Sequence, residues 1–229
     1  KDAATLSEKY MGNVCDFLKR ARDHGVYVVT SLVFMPRTGP YRKGIDAGRD
    51  RIKGHNQYYL QEGFVRAKCR YLADFVRAIK KYDPALLTAV LAFELENETH
   101  FVAKKPPFSL TEGTLTTANG KTYDLGDTAD LQRMADENVR HWADACVEAI
   151  RTVDPDALVG TSVFTYRAIG RSGPGEVRPE DSRDPRFPGR PVALARSRLS
   201  YVDIHSYPRE LDTLEVDLRT IEFEKLKEV

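Results

Sequence analysis

Helical segments with one apolar stripe alternate along this chain with short segments that are apolar on both faces. The spacing of the apolar residues predicts four helices, over residues 5–24, 62–82, 128–153 and 214–229. Between them lie four runs rich in β-branched and aromatic residues, over 26–34, 86–95, 158–164 and 201–205. Such runs are typical of strands in a parallel sheet, because helices cover both of its faces. The alternation predicts an α/β fold with right-handed crossovers, and both a barrel and an open doubly wound sheet fit it.

Turn residues mark the ends of these segments. Asp-Pro pairs at 83–84 and 154–155 each end a helix, since the residue before proline avoids the helical conformation. The Asn-Gly pair at 119–120 predicts a two-residue hairpin turn inside an insertion at about 106–127. The longest segments without a predicted helix or strand follow strands, and in a barrel that end of the strands carries the active site. These segments are 35–61, 99–127 and 165–199.

The charge balance excludes several classes of partner. The chain has 35 Lys and Arg against 34 Asp and Glu, a net charge of +1, whereas binding to nucleic acid or to a membrane surface favours a basic excess. No apolar run approaches the roughly 20 residues of a membrane span. Nucleotide-binding glycine motifs and metal-binding spacings of histidine are absent from the sequence. The three cysteines lie in apolar helical stripes and are predicted to be small buried side chains: Cys15, Cys69 and Cys146.

Three acids and an amide close the segment 90–98, which begins with four hydrocarbon side chains. A charge on a buried strand is costly unless it is paired or used. Glu94 lies deepest, and we expect it to have a buried basic or hydrogen-bonding partner and a structural role. We expect Glu96 to mark the exit of the strand into solvent. Glu98, at the end of the strand and beside Asn97, is the candidate for function.

The segment 93–98, Phe-Glu-Leu-Glu-Asn-Glu, resembles the fourth-strand signature of clan A glycoside hydrolases, most closely family 5, the cellulase and mannanase family. This resemblance implies that Glu98 is the general acid/base and that Asn97 binds the 2-hydroxyl of the sugar. The chain has Thr99 where the family often has proline. Strict alternation would put Asn97 and Glu98 on opposite faces, so we expect the strand to break its pleat there.

The segment 201–208, Tyr-Val-Asp-Ile-His-Ser-Tyr-Pro, resembles the sixth strand of the same family. The resemblance implies that His205 lines the sugar site and that Tyr207 hydrogen-bonds the nucleophilic carboxylate. Aromatic residues that follow other strands are candidate platforms for a sugar ring: Phe34, Tyr41 and Tyr166.

Taken together, the resemblance implies a (β/α)8 TIM barrel. Residues 1–229 would be part of this single catalytic domain and cover roughly strands three to six. It implies a retaining hydrolase of β-linked glycosides or polysaccharides, with no metal or cofactor, secreted or periplasmic. Retaining hydrolysis needs two carboxylates about 5–5.5 Å apart. The family's nucleophile is a Glu on the seventh strand, and we expect it outside the printed sequence.

Two other interpretations remain open at this stage. One is a non-catalytic carbohydrate-binding relative that kept the barrel and lost the nucleophile. The other is an unrelated α/β enzyme in which the Asn-Glu pair is coincidental, since a fold by itself does not fix a function.

Overall fold

The computed structural model describes residues 6–36, 39, 41, 45, 51–169, 177 and 184–205. The strands are β1 (Val28–Ser31), β2 (Val90–Glu94), β3 (His100–Val102), β4 (Thr114–Thr116), β5 (Thr122–Asp124), β6 (Val159–Phe164), β7 (Arg186–Pro188) and β8 (Tyr201–His205). The helices are α1 (Glu8–Asp23), α2 (Gln57–Leu60), α3 (Glu62–Tyr82), α4 (Thr128–Arg151) and α5 (Pro191–Leu194). Short 3-10 turns cover Gly54–Asn56, Pro84–Ala89 and Tyr166–Ile169.

In the described part of the chain, the central sheet consists of β1, β2, β6 and β8. These strands lie side by side in chain order and all run parallel. The register aligns Ser31, Glu94, Gly160 and Tyr201 in one row across the sheet. α3 lies between β1 and β2 in the chain, α4 lies between β2 and β6, and the two helices pack against each other. The predicted α/β fold with a parallel sheet is confirmed.

Most of the predicted boundaries agree with the structure, and two strands are shorter than predicted. The prediction of a strand from residue 86 is wrong, because residues up to 89 form a 3-10 turn. The Asp83 side chain accepts the backbone N–H of Ala85 (2.9 Å) at the start of that turn, so β2 begins only at Val90. β1 likewise covers four residues of the predicted 26–34. The predicted helix at 214–229 lies outside the described residues.

Two further strand pairs lie outside the central sheet. β4 and β5 form the hairpin predicted in the insertion, but its turn is longer than two residues, because the N–H of Thr117 donates to the carbonyl oxygen of Lys121 (3.1 Å). Gly120 in this turn has the left-handed conformation (φ 77°). β3 pairs antiparallel with β7, where the rings of Phe101 and Phe187 stack with their centroids 5.3 Å apart. The sequence patterns miss α2, β3, β7 and α5, because elements of three or four residues leave no periodic signal.

The core fills the space between the sheet and its helices. Trp142 of α4 is buried, and its ring meets the buried ring of Tyr59 edge to face with 5.0 Å between centroids. Cys15 and Cys146 are fully buried, as predicted, whereas Cys69 is partly exposed with its Sγ atom 4.0 Å from that of Cys146. Within the described ranges, no helix combines the length and apolar character that crossing a membrane requires.

A lysine of α3 lies inside this core. Lys68 is 2% exposed, and its Nζ atom donates to the carbonyl oxygens of Leu32 (2.5 Å) and Val33 (3.0 Å), just past the end of β1. Burial lowers the pKa of Lys68, while the nearby Glu96 carboxyl acts in the opposite direction. The ammonium group therefore ties α3 to the segment that leaves β1.

We expect Lys68→Met to lower the free energy of unfolding by about 3 kcal/mol, because two carbonyl groups lose a charged donor. The matched control is Lys80→Met on the same helix, where an exposed lysine donates to the carbonyl oxygen of Val153 (2.8 Å). That change should cost less than about 1 kcal/mol, since water can replace the lost donor. Urea unfolding measures both values, and equal losses would contradict the role given to Lys68.

A glycine of β6 lets an aromatic ring lie directly on the sheet. A Cβ atom placed on Gly160 would come within 2.3 Å of the Tyr201 ring of the neighbouring strand. Gly160 and Tyr201 are register partners, so the ring covers the backbone of its own neighbour. Only glycine permits this close approach.

We expect Gly160→Ala to destabilise the protein by about 1–3 kcal/mol, because the Tyr201 ring must move off the sheet. In a Tyr201→Ala background the same change should be nearly neutral. A double-mutant cycle by thermal or urea unfolding measures the coupling between the two sites, expected to be at least about 1 kcal/mol. Additive effects would show that the ring does not lie on the glycine in solution.

Candidate active site

The chain makes a left-handed turn just past β2, at Glu98. This residue has a φ of 57°, which is uncommon for any residue other than glycine. Its backbone N–H donates to the Oγ atom of Ser162 on β6 (2.8 Å), and the N–H of Thr99 donates to the Ser162 carbonyl oxygen (2.7 Å). The hydroxyl groups of Thr99 and Thr161 also share a hydrogen bond (2.8 Å). The pleat therefore breaks where the sequence predicts, and β6 fixes the turn.

The turn brings the side chain of Glu98 to His205. The Oε1 atom of Glu98 lies 3.1 Å from the Nδ1 atom of His205, which is the last residue of β8, and the two side chains are 15% and 29% exposed. The structure thus joins two predicted site residues that are 107 positions apart in the sequence. Asn97 is exposed beside them. Tyr207, the fourth predicted site residue, lies outside the described residues.

A second carboxylate faces the other nitrogen of the same imidazole. The Nε2 atom of His205 lies 3.6 Å from Oδ2 of Asp203. Glu94 joins them, and within the described residues this is the one group of three whose ligand atoms lie within 4.8 Å of one another. A histidine and two carboxylates are ligand types that divalent cations accept. These three residues are thus the described ones best placed to hold a metal, which the family resemblance does not predict.

The buried partner predicted for Glu94 is not found at its buried oxygen. The Oε1 atom of Glu94 is shielded from water and has no hydrogen-bond partner among the described residues. The expectation was that a buried charge needs a basic or hydrogen-bonding neighbour. Instead, the structure sets this carboxyl beside the carboxyl of Asp203 and the imidazole of His205.

The prediction that Glu96 faces solvent is wrong. Glu96 is 3% exposed, and its Oε1 atom accepts the backbone N–H of Asn97 (3.2 Å). Burial raises the pKa of Glu96 to about 7, against the opposing effects of Lys68 and of that hydrogen bond. The sequence does indicate that Lys68, the lysine near Glu96, is buried. Phe64, Lys68 and Leu72 follow one another at intervals of four on the buried face of α3.

Two stacked imidazole rings lie behind Glu98. The Nδ1 atom of His100 is 2.6 Å from the carbonyl oxygen of Glu98, and since a carbonyl only accepts, Nδ1 carries the proton. The rings of His100 and His55 are parallel, with 4.1 Å between centroids and 5° between planes. The Nε2 atom of His55 lies 3.2 Å from the Tyr59 hydroxyl. Burial lowers the pKa of His100 and brings that of His55 to about 3, so both rings are neutral at neutral pH.

Arg186, the first residue of β7, and Asp184, two residues before it, border this stack. The guanidinium group of Arg186 bonds both oxygens of Asp184, with Nη2 2.7 Å from Oδ2, and this contact lowers the pKa of Asp184. The same group lies 5.1 Å from the ring centre of Phe164, the last residue of β6. The sequence patterns predict neither a helix nor a strand here, and they do not reveal these contacts because the partners come from separate segments.

Comparisons of the chain with protein-family models, with curated proteins and with solved structures found no significant match. The interpretation of the site therefore rests on the geometry of its own residues.

The neutral His55 makes stability depend on acid pH. Unfolded, this histidine takes up a proton near its ordinary pKa of 6.5, whereas in the folded chain it does so only near pH 3. The unfolded state binds more protons between these values, so stability falls as the pH is lowered from about 6.5 to about 3. In His55→Phe, we expect the acid slope of the unfolding free energy to shrink by up to ~1.4 kcal/mol per pH unit.

Tyr59→Phe is the control for this prediction, because it removes the hydroxyl beside His55 and keeps the titrating ring. This variant should retain most of the acid slope. Urea unfolding at several pH values between roughly 3.5 and 7 measures the acid slope, because this range spans most of the interval between the folded and unfolded pKa values of His55. An unchanged slope in His55→Phe would show that another group carries the acid dependence.

Proposed function

We propose that this chain carries the acid/base centre of a retaining glycoside hydrolase that acts on β-linked glycosides or polysaccharides, and that Glu98 is the general acid/base. The observation that supports it most is the contact between Glu98 and His205. Glu98 follows β2 and His205 ends β8, so both lie at the carboxyl ends of parallel strands, where such folds place their reacting groups. Both belong to the segments that resemble family 5.

The order of the strands supports the further proposal of a (β/α)8 barrel. β1, β2, β6 and β8 follow one another in chain order. A barrel requires this order, whereas a doubly wound sheet reverses its order at the crevice where it binds ligands. We propose that these four strands are neighbouring strands of a barrel and correspond to its strands three to six.

The surroundings of Glu98 suit an acid that first gives up and then regains a proton. Its side chain is 15% exposed, and its Oε1 atom lies 3.1 Å from the Nδ1 atom of His205, so most of the carboxyl group is withdrawn from water. In the first step Glu98 protonates the leaving oxygen, and in the second it takes a proton from the attacking water. His205 can form a hydrogen bond with Glu98 in both steps, because its Nδ1 atom can donate to the carboxylate or accept from the carboxylic acid.

Double displacement also needs a nucleophilic carboxylate. Asp203 is unsuited to this role, because the His205 ring stands between its carboxylate and that of Glu98. We expect a Glu outside the printed sequence to act as the nucleophile, with Tyr207 as its hydrogen-bonding partner. Asn97, exposed next to Glu98, would then bind the 2-hydroxyl of the sugar.

One of the aromatic residues after the strands is open to a sugar ring. Phe34 is 86% exposed just past β1, whereas Tyr41 is buried and its hydroxyl donates to Asp74 (3.0 Å). The prediction that Tyr41 offers a platform for a sugar ring is thus wrong. Phe34 is the candidate that remains in the segment after β1. Polymer substrates of this kind favour a protein that works outside the cytoplasm, secreted or periplasmic.

The test is Glu98→Gln in the full-length protein, with Glu112→Gln, an exposed glutamate of the insertion, as the matched control. We expect Glu98→Gln to lower kcat/KM on β-glycosides with poor leaving groups by roughly 100- to 10,000-fold. Activated aryl glycosides should lose less in the first step, because their leaving groups need no proton. Added azide should restore turnover and yield a β-glycosyl azide, because a small anion needs no general base.

Unchanged hydrolysis in Glu98→Gln would overturn the assignment of Glu98. Oligosaccharide binding without hydrolysis by the unaltered protein would instead indicate the non-catalytic carbohydrate-binding relative.

A further inference from the structure

We propose that His100, held in place by its stack on His55, is a positioning residue for Glu98. Its Nδ1–H group holds the carbonyl of Glu98 and thereby the left-handed turn that directs the carboxyl group to His205. The inference rests on the proposed role of Glu98, but the turn itself can be measured without any substrate.

Glu98 needs such a device because its backbone is strained. A φ of 57° is unfavourable for a residue with a Cβ atom, and the chain adopts it only where its surroundings compensate. On one side of the residue, Ser162 accepts the N–H of Glu98 (2.8 Å). On the other side, His100 donates to its carbonyl oxygen (2.6 Å). Together the two bonds fix the peptide planes on both sides of the Glu98 Cα atom.

The stack on His55 fixes the ring that donates. His55 lies in the Gly54–Asn56 turn, and Asn56 clamps this turn to β3, the strand that begins with His100. The Asn56 side chain is fully buried, accepts the N–H of Val102 (2.8 Å) and donates to the Val102 carbonyl oxygen (3.0 Å). The side chain of Asn56 thus fixes the two segments that carry the imidazoles, and these segments hold the rings over each other.

The stack also reaches the core. The Tyr59 hydroxyl lies 3.2 Å from His55, and the Tyr59 ring packs against Trp142 and Phe101, each with 5.0 Å between centroids. No more than 1% of the surface of Tyr59 or of Phe101 is exposed. Contacts from the core through Tyr59, His55 and His100 thus fix the position of Glu98. A preorganised acid requires such rigid support.

Two variants of His100 separate the donor from the ring. His100→Phe keeps an aromatic ring on His55 and removes the donor, whereas His100→Asn places an amide N–H near the position of Nδ1 and removes the ring.

The two readouts are hydrogen exchange of the Glu98 and Thr99 amides by NMR, and kcat and KM on a β-glycoside. The control is His24→Phe, an exposed residue at the end of α1, which should leave both readouts unchanged.

In His100→Phe we expect the Glu98 and Thr99 amides to exchange roughly tenfold faster, because the turn loses one of its hydrogen bonds. The amides of α4 should keep their protection. The value of kcat should fall roughly 10- to 100-fold, with KM changed far less, because a misplaced acid is felt in the transition state. His100→Asn should recover part of both losses.

Unchanged exchange and kcat in His100→Phe would overturn the inference. Equal loss of protection across α4 in both variants would also overturn it, because it would show a general packing role. If the unaltered protein hydrolyses no β-glycoside but His100→Phe still frees the Glu98 amide, the positioning role stands and the proposed hydrolase activity fails.

Discussion

The end of β2 remains bonded to β6 after the regular strand has finished, and the site depends on this attachment. Ser162 is fully buried on β6, and it receives the N–H of Glu98 at its hydroxyl and the N–H of Thr99 at its carbonyl. The chain between Leu95 and Thr99 is therefore held against its neighbour while it leaves the pleat. Without that attachment, Glu96 would not turn inward and Glu98 would not reach the end of β8.

Burial acts in opposite directions on the charged groups around this point. It raises the pKa of the Glu96 carboxyl to about 7 and lowers the pKa values of His55 and His100. In each case the neutral form is favoured, because the surroundings are poor in water. For Glu96 the sign is opposite to that for the histidines: the unfolded chain loses this proton first, so stability decreases as the pH rises from about 4.5 to about 7. The combined cost of burying Glu96 and His55 is therefore lowest at mildly acidic pH, where the two pH ranges overlap.

The site draws on segments that belong to no regular unit of the parallel fold. His100 opens β3, Arg186 opens β7, and these two short strands pair with each other beside the central sheet. Helices and strands supply the rigid frame, whereas the extra pair supplies the groups that surround Glu98 and Phe164. This division is common in α/β proteins, where segments after the strands carry the chemistry and the sheet holds them in position.

The sequence by itself determined the parallel α/β fold, most helix boundaries, the hairpin around Gly120 and the two segments that hold Glu98 and His205. These features leave a local record, since a helix repeats its apolar residues every three to four positions and a turn needs particular residues. Only the tertiary structure decided that Glu98 meets His205, that Glu96 lies inside beside Lys68, and that His55 stacks on His100. Each of these contacts joins residues from separate segments, and their meeting depends on strand register, on a left-handed residue and on short strands without a period. A sequence records the burial that each residue prefers on average, whereas the partner that it meets is fixed only when the segments pack.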